Sequence, residues 1–200
     1  FKIKGDKHYW QLILSRFFYL VGIYGFQSFA QYFIRDKFPE QDPIIFTQFV
    51  MGSFVIVLII FSLLAGALSD RFGRKRLQIL SSIIGAIGAI LLIFASTPAE
   101  LLIYGSIMGV GLGIFLSTNW AFANDMAPKG DAGKYIGLTN IATAGSAAVA
   151  RLEGPMTDVL NNAAPGQWWG WTALFAVSAL LMLLSAIVLL KVPDSRGKSA

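Results

Sequence analysis

Four polar side chains in an otherwise apolar stretch, Arg16, Tyr24, Gln27 and Gln31, stand at offsets 0, 8, 11 and 15. On a helix these positions fall within one stripe, which should face the interior of a bundle. Two amides and a phenol both donate and accept hydrogen bonds, the chemistry that suits a hydroxyl-rich small molecule. Arg16, within two turns of the polar leader, suits a boundary role in which its stem is buried and its guanidinium reaches the interface. A second set, Ser117, Trp120 and Asn124, shares a face at offsets 0, 3 and 7. The Trp120 indole suits stacking on a sugar ring and equally suits anchoring at a membrane boundary. A third set, Asn140, Thr143 and Arg151, aligns at offsets 0, 3 and 11. Glu153 follows two residues later and points about 200° away on a helix, so Arg151 and Glu153 cannot pair within it and each needs its own partner or water.

A carboxylate held away from water is a candidate proton carrier, because loss of hydration disfavours its charged form. The alternative is that Arg151 and Glu153 make structural contacts or reach the outer boundary. The candidate substrate-binding residues are therefore Tyr24, Gln27, Gln31, Trp120, Asn140 and Thr143, and the candidates for ion coupling are Arg151 and Glu153. Enzymatic chemistry is not legible: no nucleophile has an adjacent base, and no paired carboxylates share a face. There is no Cys and a single His, His8, without a second His nearby to share a metal, so no metal and no cofactor is expected. Gly109, Gly111 and Gly113 spell G-x-G-x-G, but they lie inside an apolar run rather than after a strand. With Gly105 they form a small-xxx-small face, which predicts close helix packing.

The elements that must position these residues follow from hydrophobicity. Of 200 residues, 56% are hydrophobic and only 14% charged, and the mean hydropathy is +0.64. A soluble surface needs about 25% charge, so this is an integral membrane protein. A hydrocarbon core about 30 Å thick takes roughly 20 helical residues to cross. Six apolar segments qualify, over about 11–34, 45–68, 77–95, 100–122, 135–158 and 170–191. Only helices fit, because strand-like alternation is absent and a bilayer tolerates no unpaired backbone. The expectation is one all-α bundle over 1–200. Pro43 opens the second helix, Pro98 punctuates the turn before the fourth, Pro128 with Gly130 breaks the chain after it, and Gly154-Pro155 should kink the fifth. The short turns at Ser69–Arg76 and Ser96–Ala99 make helices two, three and four antiparallel neighbours.

A net charge of +5 could suggest nucleic acid, but its distribution speaks for lipid instead. Lys2, Lys4, Lys7, Arg71, Arg74, Lys75, Arg76, Lys129, Lys134, Lys191, Arg196 and Lys198 fall on one side of the bilayer, and only Arg35 and Lys37 on the other. Cations favour the cytoplasmic side, which places both termini there. No nucleic-acid partner is expected. Trp10 at one face, and Trp168, Trp169 and Trp171 at the other, suit aromatic belts. No segment reads as a cleavable signal peptide.

The densest charge lies in GALSDRFGRKRL, from Gly66 to Leu77. Membrane anchoring accounts for the cations but not for Gly66, Asp70 and Gly73: the first allows a close neighbour, the last a tight reversal, and the carboxylate needs a cation or a helix N-terminus. Position by position the string resembles the G-x-L-[AS]-D-R-x-G-R-[KR] signature of the major facilitator superfamily. In that family it joins the second and third helices of each six-helix half, which is where it sits here. The resemblance implies half of a major facilitator fold, a 3+3 inverted repeat of six transmembrane helices. It also implies a conformational latch made of Gly66, Asp70, Arg71, Gly73 and Arg74, which fastens the helix 2/3 hairpin against helix 5 in one state of an alternating-access cycle. A leading Phe in place of Met, with the leader FKIKGDKHYW, looks like the linker before a seventh helix, so a C-terminal half is expected. NDMAPKGDAGKYIGLTNIATAG, from Asn124, resembles bacterial sugar- and glycoside-cation symporters; Glu153 departs from that subgroup, where a small or apolar residue is expected.

The function this implies is secondary active transport of a small polar solute, a sugar among the candidates, coupled to a proton or cation. The partners are then the plasma or bacterial inner membrane, the solute, and another six-helix half or other membrane subunits. Two alternatives stay open: a non-transporting six-helix subunit of a larger membrane complex, and a half-transporter that restores its second wall by homodimerising.

Overall fold

The structure, a computed structural model, describes residues 7–127 and 130–193. Lys2, Lys4, Pro128, Lys129, Arg196 and Lys198 lie outside the described residues. Among the described residues the regular structure is entirely helical: α1 (Lys7–Lys37), α2 (Pro43–Phe72), α3 (Arg74–Ile93), α4 (Pro98–Met126), α5 (Ala132–Ala150), α6 (Glu153–Ala163) and α7 (Trp169–Leu190). Five of these, α1, α2, α3, α4 and α7, are individually long and apolar enough to cross a bilayer.

The helix ends follow local chemistry. Asp42 caps α2, its carboxylate accepting from the Ile44 and Ile45 amides, with Pro43 in the first turn where its missing N–H costs nothing. Thr97 and Glu100 form a reciprocal capping box at the start of α4, again with Pro98 just inside. Gly73, between α2 and α3, has φ +90°, a conformation that an L side chain rarely adopts.

The fifth segment, expected as one helix over 135–158 kinked at Gly154-Pro155, is two helices, with the interruption at Arg151 and Leu152. Pro155 is the cause: it has no N–H to give to the Arg151 carbonyl, and its ring collides with that carbonyl. The chain tightens there, Leu152 N donating to Val149 O and Gly154 N to Arg151 O. α5 and α6 nevertheless make a single pass beside α1 and parallel to it. Contacts climb both together, from Tyr9 with Thr139, through Arg16 with Thr143, to Phe29 with Gly154.

Glycines set the layering. Gly109 of α4 lies against the Phe54 backbone of α2, and Gly113 against Leu58 and Ser62. Gly111, on another side of α4, meets Gly85 and the Ser81 carbonyl of α3. α4 therefore lies between α2 and α3, which meet each other mainly near their shared turn, rather than the three being mutual neighbours. α7 packs on α1 and α3, its approach eased by Gly22 beneath the Ser178 carbonyl. The largest apolar core runs through Tyr19, Phe26, Phe33, Phe54, Phe115 and Phe175. Trp171 belongs to this core, edge-on to Phe33, a correction to its expected place in an aromatic belt; Trp10, Trp168 and Trp169 stay exposed.

Candidate functional site

A polar convergence inside the bundle is built on Arg16. Far from snorkelling to a boundary, its side chain is 2% exposed. Its Nε donates to Thr143 Oγ1 of α5 at 3.0 Å, one terminal nitrogen donates to Asn119 Oδ1 of α4, and the guanidinium lies 4.7 Å from the centre of the Trp120 ring. The position explains the burial. Arg16 stands nine residues into α1, about 13.5 Å along the axis at 1.5 Å per residue, and α4 and α5 close over it there. The Thr143 hydroxyl donates its own hydrogen bond to the Thr139 carbonyl at 3.0 Å, which leaves a lone pair for Arg16. Tyr9 fastens α1 to α5 just below, donating to Tyr135 O at 2.8 Å and lying 3.0 Å from Thr139 Oγ1.

Of the residues singled out in the sequence, Trp120 and Thr143 thus meet directly around Arg16. Tyr24 and Gln27 are half-buried further along the same stripe of α1, and Gln31 is exposed near its far end. Asn140 is exposed on α5, one turn from Thr143. Ser117 lies against Gly66 rather than in the cluster, and Asn124 is exposed. Sequence reasoning missed Asn119, which is fully buried. The signal was present, since an amide inside an apolar helix needs a partner, but Asn119 lies off the Ser117–Trp120–Asn124 face.

Arg151 and Glu153 part company, as their spacing requires. Arg151 is exposed and lines a cavity of about 310 Å³ at the end of the bundle away from the α2–α3 turn, with Arg35, Asp36, Asp158, Tyr32 and Trp171. Glu153 is 6% exposed, and neither carboxylate oxygen has a hydrogen-bond partner among the described residues. Its carboxylate lies against Gly25 of α1, where any larger residue would collide with it. Gly154 and Thr157, next to it on α6, line the cavity. The Gly25 niche was not foreseen, because only the parallel packing of α1 and α6 creates it.

At the opposite end, the cations of the α2–α3 turn meet helix C-termini. Arg74 pairs with Asp125 at 2.6 Å and donates to the Ala121 carbonyl, both in the last turns of α4. Lys75 donates to the Leu190 carbonyl, the last residue of α7, at 3.0 Å. Cations are favoured there because the final carbonyls of a helix lack intrahelical donors and carry partial negative charge. The Arg74 contact thus ties the hairpin to α4, rather than to the α5 that the expected latch invoked. Arg71 is exposed. Arg74→Ala should therefore lower stability by about 1–2 kcal/mol and Arg71→Ala by close to nothing, a difference that thermal melting in detergent will resolve.

The comparisons with known proteins agree with this architecture. Residues 12–200 match the profile of the Major Facilitator Superfamily. Probable inositol transporter 3 of Arabidopsis thaliana is 23% identical over 171 residues, covering 83% of this chain and 28% of that protein. Myo-inositol transporter 1 of Saccharomyces cerevisiae is 31% identical over 137 residues, covering 68% of this chain and 22% of that protein. The solved structure of the E. coli proton:xylose symporter XylE superposes with a TM-score of 0.77 at 19% identity, over 94% of this chain and 45% of that one. The chain thus spans under a third of the two curated transporters and under half of the solved one. With the profile matched along almost its whole length and the six-pass helical fold shared, the chain belongs to the major facilitator superfamily.

Proposed function

We propose that this bundle is one half of a secondary transporter that moves a small, hydroxyl-rich solute of the sugar or polyol kind by alternating access, with both termini of the bundle on the cytoplasmic side. The observation that carries the reading is the convergence of α1, α4 and α5 at Arg16. It joins the amide stripe of α1 to the Asn140–Thr143 face of α5 and so defines one polar wall within an apolar bundle. Gln27 and Asn140 offer paired donors and acceptors that suit hydroxyls, and Trp120 offers a ring face to a sugar. The inositol transporters among the relatives support the solute class. A second wall comes from another six-helix half, since a carrier of this kind holds its site between two rocking bundles.

Coupling is assigned to Glu153, a carboxylate isolated beside a water-accessible cavity and so placed to take and release a proton. Arg151, Arg35, Asp36 and Asp158 around that cavity form its charged mouth. Asp70 and the turn cations act as the latch that stabilises one conformation.

The test is uptake of labelled myo-inositol by the full-length protein in proteoliposomes. Gln27→Ala and Asn140→Ala should each reduce uptake roughly 2- to 12-fold, the equivalent of one neutral hydrogen bond of about 0.5–1.5 kcal/mol. Uptake by the unaltered protein that survives both changes at full rate would exclude these residues from the site. Copurification of a six-helix chain in fixed ratio with other subunits, without uptake, would favour the accessory-subunit alternative.

A further inference from the structure

Among the described residues no carboxylate pairs with the charge on Arg16. Its described partners, the Asn119 carbonyl oxygen, the Thr143 hydroxyl and the Trp120 ring, are all neutral. A guanidinium taken out of water is held at considerable cost unless an anion compensates it. The hydrogen bonds already made sharpen the point. Asn119 spends its oxygen on Arg16, and its amide nitrogen, fully buried, has no acceptor among the described residues. The second terminal nitrogen of Arg16 likewise makes no hydrogen bond among the described residues. What the cluster has left to offer is donors alone, on one full positive charge, beside an indole that is 36% exposed. A planar guanidinium fork with an adjacent N–H donor fits the two oxygens of a carboxylate.

We infer that Arg16, Asn119, Trp120 and Thr143 form an anion subsite that receives the carboxylate of a polyhydroxylated acid, a solute of the sugar-acid class. The inference rests on the transport reading above. The ring of such a solute would lie by Trp120, its hydroxyls would meet Asn140, one turn from Thr143, and its carboxylate would supply the counter-charge. The competing source of that charge is a carboxylate of the protein outside these 200 residues, which would leave the subsite already filled.

D-glucuronate and D-glucose separate the two, because they share a ring and differ in a carboxylate against a hydroxymethyl group. Calorimetric titration of the full-length protein in detergent should show glucuronate binding roughly tenfold or more tightly than glucose, the scale of a charge-assisted pair. Arg16→Gln should erase that preference, bringing the affinity for glucuronate down to that for glucose, with the size-exclusion profile unchanged. If Arg16→Gln does not fold, Arg16→Lys asks the same question: a compact ammonium replaces the fork, and the preference should fall at least about threefold. Equal affinity for the two sugars in the unaltered protein, binding of neither, or a preference that either variant leaves intact overturns the inference. Myo-inositol uptake in the same preparation keeps the two readings apart. Uptake without a glucuronate preference removes the subsite and leaves transport standing. An Arg16-dependent glucuronate preference without uptake of either solute removes transport and leaves the subsite.

Discussion

Gly113→Ala is expected to lower the stability of the bundle by on the order of 3 kcal/mol, and Gly109→Ala by a similar amount. A methyl group at Gly113 would overlap the Leu58 carbonyl oxygen and crowd the Ser62 amide; one at Gly109 would stand 2.6 Å from the Phe54 carbonyl oxygen. The obstructing atoms are backbone, so neither collision is relieved by a rotamer change, and α2 must move away from α4 along its length. That separation also forfeits the dispersion contacts which, in lipid, hold helices together in place of the hydrophobic effect. Gly52 of α2 supplies the control, since a methyl group there meets nothing within 4 Å. Gly52→Ala should be neutral or slightly stabilising, as alanine is the better helix former. Thermal melting of the three variants in one detergent decides it: equal melting temperatures would mean that α2 and α4 are not packed through these glycines.

The second large effect concerns Glu153. Glu153→Gln should abolish accumulation of solute against its gradient while leaving solute exchange at equilibrium intact. Glutamine is nearly isosteric and fits the same niche against Gly25, so packing on α1 is kept. What it removes is the exchangeable proton. A carrier that cycles through its loaded forms without that proton still equilibrates labelled solute across the membrane, but it cannot draw on the proton gradient. Melting should be unaffected or raised, because a neutral amide is held out of water at less cost than a carboxylate without hydrogen-bond partners. A purely structural Glu153 predicts the reverse pattern, with accumulation preserved and stability lowered. Measuring counterflow, proton-driven uptake and melting on one preparation separates the two.

Much of this could be read in the letters because the bilayer imposes strict and local demands. Membrane crossing needs long apolar runs, so the passes are visible one at a time, and their cationic ends follow from the same physics. The Gly66–Leu77 string gave the family because a tight reversal, a close helix approach and a helix-end cation each restrict residue type within a few positions. Pro155 announced an interruption of the fifth pass, although its site, four residues earlier, depends on which carbonyl loses its donor. The glycines of α4 announced close packing but not with whom, since Gly109 and Gly113 serve α2 while Gly111 serves α3.

The sequence alone determined the class of the protein, the number of passes, the turn that identifies its family and the stripe of amides along α1. Each is a property of one segment meeting lipid or water. Only the tertiary structure decided that Arg16 is buried rather than snorkelled, that Asn119 is its partner, that Trp171 is core, and that Glu153 faces a glycine niche on α1. Those facts belong to pairs of helices more than a hundred residues apart in the chain, Arg16 and Asn119 by 103, Arg16 and Thr143 by 127. Periodicity gives the direction in which a side chain points from its own helix, but what it meets there is set by packing with its neighbours.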